Sequence, residues 1–149
     1  MPGLFDPIDI KNLTIKNRTV MAPMATSMAT ENGEVTDRHI RHYTARAQGG
    51  VGLIIIEHTY IMKEGKLHRG QLGLDNDRLV SGLKRLVDAI HADGAGVTIQ
   101  ITHGGAKTPH MAGPWSIALP NTNEVPRVLT TTEIKEIITN FGKAASRAK

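Results

Sequence analysis

The run Val51-Gly52-Leu53-Ile54-Ile55-Ile56 carries no polar side chain and shows no alternation. A strand with one wet face alternates apolar and polar side chains. A run of this kind therefore predicts a strand buried on both faces, as in a parallel sheet covered by helices. It is far shorter than the roughly 20 residues of a membrane span. Just before it, Gly49-Gly50 stop a helix that Thr36-Asp37 can cap, with Ile40, Tyr43 and Ala47 at helical spacing.

The same strand-then-helix cycle is read three times. Thr19-Val20-Met21-Ala22 is a short apolar strand before the first helix, and Val97 to Ile101 is a third strand. From Asp77 to Ala92, Leu79, Leu83, Leu86, Val87 and Ile90 share one helical face, and Gly94 ends the segment. A last helix opens at Thr130-Thr131-Thr132-Glu133, a capping-box pattern, and carries Ile134, Ile137, Ile138, Phe141 and Ala145. Ahead of the first cycle, Ile8-Asp9-Ile10 and Leu13-Thr14-Ile15 flank Lys11-Asn12 as a small hairpin, placed to plug the bottom of a barrel. The alternation predicts an α/β fold with parallel strands. An open doubly wound sheet and a (β/α)8 barrel both satisfy it. A complete barrel takes about 250 residues, so length favours the open sheet. The loops favour the barrel: those after the strands are long (23–35, 57–76 and 102–129), those before them are short, and no Gly-x-Gly-x-x-Gly follows the first strand.

Composition narrows the partners. The net charge of +4 is spread among acids without a dense basic run or interleaved aromatics, which argues against nucleic acid. Absence of cysteine excludes disulfides, thiolate metal sites and a thiol nucleophile within these residues. No basic segment followed by a long apolar one opens the chain, so no membrane association is expected and a cytoplasmic location follows by default.

In either architecture ligands gather at the carboxyl ends of the strands. Ala22-Pro23-Met24-Ala25-Thr26 offers a fixed backbone and small or soft side chains that let a flat apolar ligand lie close, although an ordinary loop entry explains it more plainly. Glu57-His58 is a possible acid/base pair, but strand neighbours point to opposite faces. In Gln100-Ile101-Thr102-His103-Gly104-Gly105-Ala106-Lys107, Gln100 and Thr102 share a side. A buried Gln amide needs partners and suits the polar edge of a heterocycle, while His103 and Lys107 suit an anion or a substrate. Of seven histidines, His39 and His42 share a helical face, but no carboxylate or third imidazole is evidently placed to complete a zinc site, so no metal is expected.

Five segments together resemble one family. Asn17-Arg18-Thr19-Val20-Met21-Ala22-Pro23-Met24 resembles the opening signature of the Old Yellow Enzyme and NADH:flavin oxidoreductase family. Gly50 to Glu57 and Gln100 to Gly105 are similar to its second and third strands, and 113–117 and 129–134 to the segment leading into its third helix. The branch containing 2,4-dienoyl-CoA reductase is most similar. The resemblance implies that residues 1–149 are the amino-terminal portion of one FMN-binding TIM-barrel domain, with three β/α units after a small hairpin. It implies FMN as cofactor, NADH or NADPH as reductant, and an activated alkene such as an α,β-unsaturated carbonyl compound as the small-molecule substrate. Pro23, Met24 and Ala25 would pack on the flavin ring, and Gln100 would hydrogen-bond its pyrimidine edge. His58 would lie beside it where relatives often carry a small residue, and Ala25 stands where many carry Thr or Cys. Thr26, His103 and Lys107 are the substrate-side candidates. The family's substrate-orienting pair, proton-donating Tyr and phosphate-binding segments are expected beyond Lys149. Three barrel strands leave open sheet edges, from which self-association is expected. A non-catalytic half-barrel module is the main alternative; a metal-dependent barrel hydrolase is disfavoured by the lack of His-x-His.

Overall fold

The computed structural model describes residues 1–120 and 123–149. Its centre is a three-stranded parallel sheet of β3 (Val20–Met21), β4 (Leu53–Tyr60) and β5 (Gly96–Thr102), in the order β3-β4-β5. Helix α1 (Asp37–Gln48) joins β3 to β4, α2 (Val80–Ala92) joins β4 to β5, and α3 (Thr131–Ala148) follows β5. The predicted hairpin is present as β1 (Ile8–Ile10) paired antiparallel with β2 (Leu13–Ile15). It docks at the amino ends of the central strands: Asn17 Nδ2 donates to the Gly50 carbonyl at 2.7 Å, and Ile15 is buried against Gly52.

All three helices lie on one face of the sheet. Ile54 and Ile56 of β4 pack with Tyr43 and Ala47 of α1, Leu83, Leu86 and Ile90 of α2, and Ala144 of α3, while Val97, Ile99 and Ile101 of β5 border the same cluster. By strand alternation Leu53 and Ile55, and Thr98 and Gln100, turn to the other face. That face carries no helix, and Thr98 and Gln100 are exposed on it.

Helix ends follow their local chemistry. Thr130 Oγ1 accepts the Glu133 N–H at 3.2 Å and Glu133 Oε2 accepts the Thr130 N–H at 2.7 Å, the predicted capping box. The segment read as one helix from Asp77 starts as a 3-10 turn at Asp77–Leu79, because the Asn76 side chain caps it tightly by accepting from Arg78 N. Two expectations change. The second strand does not stop at Ile56: Thr59 and Tyr60 pair with Ile101 and Thr102, so β4 absorbs four residues read as loop. The loop after β5 contains a small parallel pair, β6 (Ala112–Gly113) with β7 (Arg127–Val128); the rest of that predicted loop includes 121–122, outside the described residues.

Candidate functional site

The pairing of β4 with β5 skips. Ile56 lies opposite Ile99 and Thr59 opposite Ile101, so Glu57 and His58 together face the single residue Gln100. Two residues against one is a β-bulge, which breaks alternation and re-aims side chains, commonly beside active sites. It places Glu57, His58 and Gln100 at one level, at the carboxyl end of the sheet. It also explains why Glu57 and His58 are not simply divided between two faces.

Glu57 is fully buried. Its Oε2 accepts the Thr26 N–H at 2.7 Å and its Oε1 accepts the Thr26 hydroxyl at 2.6 Å, which ties β4 to the loop after β3. The Tyr43 hydroxyl donates to Oε1 at 3.4 Å and accepts the Glu57 N–H at 3.0 Å. His39 Nε2 stands 3.5 Å from Oε1, near enough for its N–H to face the carboxylate, though the geometry is not that of a formed hydrogen bond. Burial alone would raise the Glu57 pKa; His39 and the two Thr26 donors outweigh it and hold the carboxyl below its usual range. Burial pushes the Tyr43 phenol up. His39 therefore has the carboxylate partner that the sequence did not reveal, since eighteen residues separate the two.

His58 lies in a directional chain whose tautomers can be assigned. Gln71, fully buried, accepts the Leu67 N–H on Oε1 at 2.6 Å, so its amide nitrogen faces His58. That N–H2 reaches His58 Nδ1 and the His58 carbonyl, each at 3.3 Å. Nδ1 is thus an acceptor, and the His58 proton sits on Nε2 and is donated to His68 Nε2 at 3.3 Å. His68 then carries its proton on Nδ1 and donates to the Arg69 carbonyl at 2.8 Å. The two imidazoles spend their facing nitrogens on one shared proton and leave no convergent lone pairs for a cation. Among the described residues no group of three or more His, Asp or Glu could hold a metal ion.

Three histidines are held below their ordinary pKa. His58 is lowered by burial and by His68, against Glu57; His42 by burial, Arg46 and His39, against Glu57; His103 by burial, against Glu64. Each is freer to take a proton in the unfolded chain, where histidine titrates near pH 6.5. As pH falls below that value the unfolded state binds more protons, so stability present above about pH 6.5 is lost on acidification. The unfolding midpoint is expected to fall between pH 7 and pH 5, and less steeply in His103→Gln. A midpoint independent of pH over this interval would contradict the assignment.

The remaining candidates occupy the same end of the sheet. Pro23 is half-buried, while Met24 (66% exposed) and Ala25 are open to solvent after β3. Gln100 is exposed, not buried as its strand context implied, and its side-chain amide has no partner among the described residues. His103 is half-buried against Gly65 and accepts the Gly105 N–H on Nδ1 at 3.1 Å; Lys107 is exposed and has no ion pair among the described residues. A groove of about 690 Å³ opens elsewhere, on the helix side between α2, β5 and the end of α3, and takes in none of these residues. A flat heterocycle with a polar edge suits the rim by its chemistry: small and soft side chains after β3 and an amide on β5 that offers both a donor and an acceptor lie at the same end of the sheet. Among the described residues no helix is long and apolar enough to cross a membrane.

Comparison with known proteins supports one family over the whole chain. Residues 3–149 match the model of the NADH:flavin oxidoreductase / NADH oxidase family. An NADPH dehydrogenase of Listeria monocytogenes serotype 4b (strain CLIP80459) is 41% identical over 153 residues, covering 100% of this chain and 45% of that protein. An NADH oxidase of Thermoanaerobacter brockii is 43% identical over 156 residues, covering 99% of this chain and 24% of that protein. Among solved structures, the old yellow enzyme homologue from Zymomonas mobilis superposes with a TM-score of 0.89 at 29% identity, over 99% of this chain and 45% of its own. The chain thus spans under half the length of these relatives. A family model met from residue 3 to residue 149, on a sheet with these strands and this rim, places the chain in the NADH:flavin oxidoreductase / NADH oxidase family.

Proposed function

We propose that these residues form the ring-facing side of an FMN site in a (β/α)8 barrel oxidoreductase that uses NADH or NADPH to reduce an activated alkene. The observation that carries the reading is the Gln100 amide, unpaired among the described residues, on the helix-free face and level with the Glu57–His58 bulge, with the Pro23–Ala25 segment at the same end of the sheet beyond β4. Bound FMN would supply the hydride chemistry, accepting from the nicotinamide and donating to the alkene. The chain's own residues would bind and orient. Pro23, Met24 and Ala25 provide a close apolar surface, Gln100 pairs with the polar edge of the ring, and His58, kept neutral by its chain to Gln71 and His68, borders it without adding charge. His103 and Lys107 would face substrate, with Lys107 available to an anionic group, whereas Thr26, expected there too, has its N–H and hydroxyl turned to buried Glu57.

Titration of FMN into the purified protein, followed by flavin fluorescence, tests this. Saturable binding is expected, with a Kd raised about three- to tenfold in Gln100→Ala, the worth of one or two hydrogen bonds. An unchanged Kd would remove Gln100 from the site, and absence of binding by the parent protein would sink the flavin reading for these residues.

A further inference from the structure

We infer that Glu57 is a positioning residue that clamps the Pro23–Thr26 segment through Thr26 and holds a lone negative charge beneath it. This rests on the flavin reading only for the consequence of the charge; the clamp stands on the geometry alone.

Each carboxylate oxygen takes a short hydrogen bond from Thr26, with the Tyr43 hydroxyl a longer second donor to Oε1. Oε2 takes the main-chain N–H of Thr26 and Oε1 takes its hydroxyl, while Thr26 Oγ1 in turn accepts the Met28 N–H at 3.3 Å. Thr26 thus presents two donors to a buried group. A carboxylate accepts both; a carboxamide must either set its N–H2 against one donor or reverse the bond to Thr26 Oγ1, which leaves the hydroxyl proton without its acceptor. The chemistry of the clamp therefore calls for the ionised side chain and not merely for its shape.

The charge is left without a formal counter-charge. Among the described residues no lysine or arginine pairs with Glu57. The neighbour His39 accepts the Thr36 N–H on Nδ1 at 3.1 Å, so its proton is on Nε2 and the ring is neutral. A buried negative charge left uncompensated is costly unless hydrogen bonds satisfy it, and here they come from the segment it holds. Such a charge opposes the arrival of electrons on a ring packed against Pro23–Ala25, and so sets that ring at a lower reduction potential than the same segment would without it.

Glu57→Gln keeps the volume and removes the charge. In FMN-free protein the amide at position 26, followed by hydrogen exchange in a 1H–15N spectrum, is expected to exchange at least about tenfold faster than in the parent; unchanged exchange would overturn the clamp. In FMN-loaded protein a redox titration is expected to shift to more positive potential, with roughly a tenfold rise in the reduced-to-oxidised ratio at the parent midpoint. No shift, or a negative one, would overturn the role of the charge. Thr26→Val supplies the second variant, including the case in which Glu57→Gln does not fold. It removes one donor and keeps the charge, so exchange at position 26 is expected to quicken while the potential stays near that of the parent. A shift as large as that of Glu57→Gln would show that loop geometry and not charge sets the potential, whereas unchanged exchange would again overturn the clamp. Failure of the parent to bind FMN at all would strike the flavin reading while the exchange measurement still decided the clamp.

Discussion

Gly33→Ala is expected to cost about 3 kcal/mol of stability, because two penalties fall on one residue. Gly33 has φ +83, a backbone region costing an L-residue roughly 1–2 kcal/mol. A Cβ there would also meet the Tyr60 hydroxyl and stand 2.9 Å from the Gly73 main-chain nitrogen. Neither neighbour can retreat cheaply. Tyr60 is buried and donates its hydroxyl to the Asn32 carbonyl at 2.9 Å, and Gly73 N donates to the Gly33 carbonyl at 3.0 Å. Overpacking of this kind adds about 1–3 kcal/mol, a large part of a total stability of about 5–15 kcal/mol. The thermal midpoint should fall by about 6–12 °C. Gly50 provides the control: it has φ +95 with nothing within 4 Å of an added Cβ, so Gly50→Ala should bear only the conformational part. Equal losses from the two would mean that contact with Tyr60 and Gly73 does not matter. The consequence reaches the site, since Gly33 and Gly73 join the loops after β3 and β4, which Ser27–His68 also connects, while Thr26–Glu57 ties the first loop to β4.

These junctions mark where reading the chain stops and folding takes over. Helices α1, α2 and α3 were legible because each rests on local chemistry: an apolar stripe at helical spacing in all three, a cap on α1 and α3, and a glycine stop after α1 and α2. The parallel sheet was legible because Val51 to Ile56 shows no alternation, although the helices cover only one of its faces. The bulge at Glu57–His58 was not, because it is a property of two strands in register and neither strand alone contains it. With strict alternation assumed, Glu57 and His58 fall on opposite faces and the carboxylate looks like half of a doubtful acid/base pair. Once the register skips, Glu57 turns into a buried cluster with Thr26, His39 and Tyr43, residues 31, 18 and 14 positions away. Nor could the His58–His68 chain be seen, because its direction depends on how Gln71 is held by the Leu67 N–H. Gln100 shows the opposite failure. Its strand context suggested burial with a partner, whereas it stands exposed and unpaired on the face without helices. Its amide suggested the polar edge of a heterocycle, and the family resemblance named that heterocycle as flavin.

Ile54→Ala is expected to cost about 2–5 kcal/mol, and Ile55→Ala, one residue further along the same strand, only about 1 kcal/mol. Ile54 is fully buried among Tyr43, Leu86 and Ile90 on the helix side, where a lost side chain leaves a cavity its neighbours cannot fill. Ile55 turns to the other face and is half-buried, so less of it leaves water on folding and solvent occupies any space it vacates. The comparison bears on the feature that most constrained the fold. An unalternating apolar run calls for cover on both faces, yet the helices cover one. Denaturant titrations of the two variants at several protein concentrations read the second face directly. A small loss at Ile55, constant across concentrations, is the expected result for the chain by itself. A loss at Ile55 that rose towards that at Ile54 only as concentration increased would mean that a second copy supplies the missing cover. In that case the open edges of β3 and β5 would be the first place to look for the contact.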